Sequence, residues 1–459
     1  MSRFPLLLML LLPVLLAGQT APEMQQVLNR LDRLEDENAK LIAEIRALRE
    51  SLAGARIVSS ASAAEAAVPQ SAAAPSATQP VDERLSVQET RVNELSRTSV
   101  QATQRLPVSL SGMVLFNAYL NGSSNGGSQN PLIASLQKSD SGNGMSPRQS
   151  IVGFRYQGPT VLHGGRISAS LDMDLWAGSA NSLGHLIRMR TATFQIDWEN
   201  RSFMVGQDKP LVAQRDPASL AQVAFSPLTA AGNLWLWQPQ VRFEQRFRLS
   251  HTSGLRAQGS VYQTSEPGAG TVSETYGTFA SARPALQGRF EFWNDFGETR
   301  RIEIAPGFHV SQSRVGTTIS IPSRLFTADW MIRPAAAWQF TGAFFQGENA
   351  AGLGGLRQGF TDLSSGRFVP VGTAGGWAQV AWLPTSRLNF HIYGGQESNR
   401  PADLLPNQIT RNLAYAGNVL YRLGPNVRVG LEASQVRTKY KSGEIRLVNH
   451  YDLALAYLF

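Results

Sequence analysis

Across 459 residues the chain has no cysteine, while glycine (41) and aromatic residues (21 Phe, 10 Tyr, 9 Trp) are plentiful. That removes disulfide frameworks, thiolate metal sites and cysteine nucleophiles together. The formal charge of +8 comes from cations spread singly through the large carboxy-terminal part. Nucleic-acid partners usually meet a Lys/Arg-rich helix or patch, so this pattern argues against them.

Residues 1–18 read as a secretory signal, with Arg3 at the charged start, Leu6 to Leu16 as the apolar core and Ala17-Gly18 as the small-residue end. Over 22–53 the period changes to seven. Met24, Leu31, Asn38, Ile45 and Leu52 share one seam position, and Val27, Leu34, Leu41 and Leu48 the other. Apolar residues at both positions over four heptads specify a coiled coil. Asn38 is its one buried amide, a residue that fixes register, and Arg30 with Glu35 and Glu44 with Arg49 sit where opposite charges pair between chains. The expected oligomerisation residues are therefore Leu31, Leu34, Asn38, Leu41, Ile45 and Leu48. Residues 54–80 form an Ala/Ser/Pro linker with little to bury, and 81–104 a short helix with a weaker heptad pattern.

From 105 to 459 the period is two, as successive strand side chains point to opposite faces. About sixteen strands are expected, separated by alternately short and long connections such as Leu383-Pro384-Thr385-Ser386 and the polar stretch 348–373. This predicts an all-β transmembrane barrel of antiparallel strands, with short periplasmic turns and longer external loops. Hydrocarbon cannot satisfy backbone amides, so a spanning sheet must close on itself.

The faces separate clearly in 234–249, where Trp235, Trp237, Val241, Phe243 and Phe247 oppose Gln240, Arg242, Glu244, Arg246 and Arg248. In a water-filled barrel the apolar face meets lipid, and the polar face lines the pore. The same reading adds Asp172, Asp174, Arg289 and Arg301 to the pore lining. One strand conflicts with it: Arg188 and Arg190 share parity with Phe194 and Ile196, so plain alternation would put both in lipid. A bulge, or burial between protomers, would remove the conflict. The third long connection, 208–233, carries Leu220, Val223, Phe225 and Leu228 and should fold against something. Folded inward, it makes Asp208, Lys209, Arg215 and Asp216 candidates for a constriction; a lid or an intersubunit contact is the alternative.

The last strand alternates Leu447, Leu453, Leu455 and Tyr457 with Arg446, His450 and Asp452 and stops on Phe459. That ending resembles the terminal strand of bacterial outer-membrane barrels, which implies recognition by the outer-membrane assembly machinery. Signal, coiled coil, strand rhythm and terminal aromatic together resemble the trimeric outer-membrane porins, especially DcaP-like porins with an amino-terminal coiled coil. The stretches Ser111-Gly112-Met113-Val114-Leu115-Phe116, Phe203-Met204-Val205-Gly206-Gln207-Asp208 and Ala231-Gly232-Asn233-Leu234-Trp235 are similar to segments of such proteins. The resemblance implies a homotrimer with a pore in each protomer, seated in outer-membrane lipid with its coiled coil in the periplasm.

The expected function is passive diffusion of small hydrophilic, preferentially anionic solutes, since rings of charged side chains set selectivity. A structural protein tethering the envelope through the coiled coil is one alternative, and an outer-membrane barrel enzyme another. The six histidines are scattered and no nucleophile elbow or His-Glu-x-x-His appears, so no catalytic, metal or cofactor residues are expected.

Overall fold

The computed structural model describes residues 107–137, 139–177, 185–263, 280–281, 284–315, 319–356, 358–363 and 367–459. The expected signal, coiled coil, linker and short helix lie outside the described residues.

Eighteen strand segments form one sheet. Gly142–Ser146 and Ile151–Val161 are two pieces of one wall strand, both paired with Val108–Asn121. Ala280–Ser281 prolongs Ala285–Asp295, and both pair with Arg301–Val315. The wall thus has sixteen antiparallel strands, as the rhythm of the sequence predicts. It is closed, because Met113 to Asn121 pair with His450 to Leu458.

Tight turns join the strands at one end, after Val161, Asp197, Arg248, Asp295, Ala335, Trp382 and Arg422. The opposite end carries the long connections 122–141, 209–237 and 349–371. Strict alternation fails after Tyr440, where only Lys441 to Glu444 intervene and Gly443 at φ +94° makes the reversal. Glycine adopts that left-handed conformation without a Cβ clash.

Outward side chains are apolar in the middle of the wall. Phe116, Phe243, Phe247, Phe290, Ile304, Phe308, Leu431, Leu453 and Leu455 are exposed. Their in-sequence neighbours Asn117, Glu244, Arg289, Glu291, His309 and Asp452 are buried. This inversion of a soluble sandwich places lipid outside and polar groups inside. Near the turn end Trp338 stacks on Trp382 (6.1 Å between centroids) and Trp382 on Phe390 (5.1 Å), forming part of an aromatic girdle.

Two local departures from alternation matter for the interior. Asp172 pairs with Thr191 and Met173 with Met189, which leaves Arg190 as an extra residue in Leu186–Asp197. The bulge keeps both arginines inside, with Met189 and Phe194 exposed outside. In the next hairpin the wall strand starts only at Gln238. Trp235 and Trp237, assigned to the lipid face by sequence parity, are instead 3% and 9% exposed and belong to the segment folded inward.

The closing seam brings Gly112 against the terminal residue: Phe459 N–H donates to Gly112 O (3.1 Å) and Gly112 N–H to Phe459 O (2.9 Å). A Cβ at Gly112 would strike the carbonyl of Ile151 and the Phe459 ring. Gly112→Leu is therefore expected to weaken the seam by roughly 1–3 kcal/mol of overpacking. Conversion of folded to unfolded electrophoretic mobility on heating should then shift to lower temperature; an unchanged transition would refute the tight seam.

Candidate functional site

The interior is organised by 209–237, the third loop-end connection, which runs around the inside of the wall. Leu211 to Ala213 form one turn of 3-10 helix, and Val212 and Ala213 join a buried cluster with Tyr262, Ala285, Leu325 and Phe345. Leu211 N–H donates to Gln287 Oε1 at 2.7 Å. Farther on, Ala218 N–H meets Gln379 Oε1 (2.6 Å), Ser219 Oγ meets Glu432 Oε2 (2.6 Å), and Asn418 Nδ2 donates to Ala218 O (2.7 Å). Leu220 packs on Leu115, Ala454 and Ala456, and its carbonyl accepts from Asn117 Nδ2 at 2.9 Å. The apolar residues that made this stretch a poor solvent loop thus find partners on the inner wall.

Its return path needs small residues. A Cβ at Gly232 would strike the carbonyls of Gly376 and Gln396, and one at Gly395 the carbonyl of Ala231. Gly232 also holds φ +99°. Only glycine lets two backbones approach this closely in that conformation.

The four expected constriction residues all lie inside, and all are paired. Lys209 contacts Asp216, and Asp208 accepts from Arg242 at 3.2 Å. Arg215 reaches the facing wall, bonding Asp329 (2.6 Å) and Glu303 (2.5 Å).

The expected pore-lining residues divide. Arg289 points inward but is only 2% exposed, held by Asp329 (2.7 and 2.8 Å), Glu291 (2.7 Å) and Gln258 (2.9 Å). Arg301 pairs with Glu303 (2.5 Å) and Asp295 (2.9 Å), and Arg246 with Glu244 (2.6 Å). Arg248, beside the turn after its strand, is exposed with no ion pair among the described residues. Asp172 takes Arg155 at 2.6 Å. Across 201–335 the network joins seven cations (Lys209 and Arg215, Arg242, Arg246, Arg256, Arg289 and Arg301) to seven carboxylates (Asp208, Asp216, Glu244, Glu291, Asp295, Glu303 and Asp329). Within that network cations and carboxylates are matched in number, while Arg248 and the inward Arg333 have no ion pair among the described residues.

A local excess of cation lies on the opposite wall. Arg188 and Arg190 both bond Asp174 (2.6 and 2.9 Å), whose side chain is fully buried, so two guanidiniums share one carboxylate. Their remaining donors hold the middle of 209–237, Arg188 through Ala224 O (2.6 Å) and Arg190 through Val223 O (2.8 Å). Both also lie over the Trp237 ring, at 5.2 and 4.6 Å. The parity conflict in the sequence was the signal for this pair.

Gln149 carried no such signal. The break between Ser146 and Ile151 turns it inward, where it is fully buried. Its amide donates to Ala221 O (2.8 Å) and Asn117 Oδ1 (3.0 Å), and its carbonyl accepts from Val223 (2.7 Å) and Ala224 (2.9 Å). At the loop end a cavity of about 470 Å³ is lined by Asn130, Arg148, Trp176, Phe225, Trp235 and Leu356, among others. Phe225 stands edge-on between Trp176 and Trp235, and the Arg148 guanidinium lies 4.6 Å from the Trp176 centroid. Amphipathic aromatics beside a guanidinium suit a polar solute with a flat or anionic group.

No family model and no curated protein matches the chain. Among solved structures it is similar to the outer membrane channel DcaP of Acinetobacter baumannii, with a TM-score of 0.59 at 14% identity over 77% of this chain and 97% of that one. It is also similar to the anion-selective porin from Comamonas acidovorans, with a TM-score of 0.53 at 12% identity over 77% and 99%. At this identity the likeness concerns the fold, which is the closed sixteen-strand barrel of outer-membrane porins.

Proposed function

We propose that the protein is an outer-membrane porin, a passive diffusion channel for small hydrophilic solutes with a preference for anions. The observation that carries this reading is the polar interior crossed by 209–237, anchored near its start by Arg215 on Asp329 and Glu303 and at its middle by Arg188 and Arg190. A barrel whose only role was structural would have no need of a charged, tethered inner segment. The anion preference rests on the Arg188/Arg190/Asp174 group, where the ion pairing leaves one positive charge in excess. The two similar structures, described as an outer membrane channel and an anion-selective porin, support it.

The heptad seam around Asn38 supports association of chains through a periplasmic coiled coil, and the resemblance to trimeric porins supports three as their number. The terminal strand closing on Gly112 through Phe459 is the segment we expect the assembly machinery to read. In planar bilayers under a salt gradient, refolded full-length protein should conduct in steps that close in threes, with an anion-selective reversal potential. A verified folded barrel that passes no current would overturn the channel reading. Cation selectivity would overturn the charge assignment alone.

A further inference from the structure

Among the described residues the outer wall carries a charged cluster that nothing in the interior explains. On Ile409–Arg422 and Val427–Tyr440, Arg411 stands directly opposite Lys439, and Arg437 is one outward row away, opposite Leu413. All three are exposed and share the face of the exposed Tyr415 and Leu431. They lie at the loop end, while successive rows toward the turn end pass from the polar Tyr415–Gln435–Asn449 chain to Leu431, Leu453, Leu455 and Tyr457.

Like charges directly opposite in a sheet repel, and cations near hydrocarbon are costly unless something neutralises them. Nearby carboxylates are engaged elsewhere. Glu432 points inward to Ser219 and Asn418, Glu397 inward to Leu356 N–H, Glu444 pairs with Arg446, and Asp403 with Arg400. No carboxylate among the described residues pairs with Arg411, Arg437 or Lys439. By contrast, the outward Arg324 farther round the wall stands directly opposite Glu348.

We propose that Arg411, Arg437 and Lys439 form a binding site for the phosphate groups of phosphorylated lipid in the outer leaflet. The ammonium and guanidinium heads reach the headgroup layer while their stems stay against apolar wall. The site rests on the reading of the barrel as membrane-spanning, but not on its solute selectivity.

The test is native mass spectrometry of the full-length folded protein titrated with diphosphoryl lipid A, with phosphatidylcholine as competitor. Wild type should retain lipid A in preference, and Arg411→Gln/Arg437→Gln/Lys439→Gln should retain about tenfold less with phosphatidylcholine unaffected. Unchanged single-channel conductance in that variant shows that the barrel and its pore are intact. If the triple variant does not fold, Arg411→Lys/Arg437→Lys/Lys439→Arg must bind as wild type and each single Gln variant must bind less. Equal retention by wild type and the Gln variants overturns the proposal, as does no preference for lipid A. Displacement by millimolar inorganic phosphate makes the ligand the free anion and likewise refutes a lipid site. A change in protomer number with lipid retention unaltered assigns the patch to a second copy of the chain and refutes it too.

Discussion

Replacing Arg188 and Arg190 together by Gln should lower the anion-to-cation permeability ratio about tenfold, equivalent to about 1.4 kcal/mol. Both guanidiniums lie inside the barrel on one shared carboxylate, so their loss turns a local excess of one positive charge into the bare negative charge of Asp174. Adding Asp174→Asn should restore part of the ratio, because the group then becomes neutral. Neutralising a matched pair, as in Glu244→Gln with Arg246→Gln, removes one charge of each sign and should leave the reversal potential near wild type. Equal effects of the two double variants would mean that selectivity is set elsewhere. The middle of 209–237 also loses two donors in the first variant, to Val223 O and Ala224 O, so noisier open-channel current should accompany the shift.

The largest expected loss of stability follows from Arg289→Met. This side chain is 2% exposed and makes two bonds to Asp329, one to Glu291 and one to Gln258. Methionine keeps most of the volume but leaves the carboxylates without their central cation. Removing one partner of a buried pair typically costs 3–5 kcal/mol. Arg215 still bonds Asp329 at 2.6 Å, and Arg256 lies 3.4 Å from Glu291, so a loss near the lower end, about 3 kcal/mol, is expected. Urea unfolding of the refolded barrel measures it. Arg248→Gln, at an exposed position with no ion pair among the described residues, should change stability little. If the two variants unfold alike, the interior network contributes nothing to holding the barrel closed.

The barrel itself was legible in the sequence because a wall between lipid and water imposes a two-residue period. Phe290 and Phe292 against Arg289 and Glu291, or Leu453 and Leu455 against Asp452, are written in residue order and need no knowledge of what lies across the lumen. The fate of 208–233 was legible for a similar reason: Leu220, Val223, Phe225 and Leu228 have more apolar surface than a loop in water would carry. What such a segment packs against is a different kind of information. That Leu220 rests on Ala454 and Ala456, or that Gln149 holds Ala221 to Ala224, joins residues far apart in the chain, and no local period encodes it.

Charge shows the division most clearly. The sequence determined which strands carry arginine on the inner face and that cations outnumber acids. It assigned the positive lining to Arg242, Arg246, Arg248, Arg289 and Arg301, of which all but Arg248 stand against a carboxylate among the described residues. Only the tertiary structure decided that Arg188 and Arg190 share one carboxylate inside the barrel. It did so through one extra residue at Arg190, because a single bulge reverses which side of a sheet every residue beyond it faces.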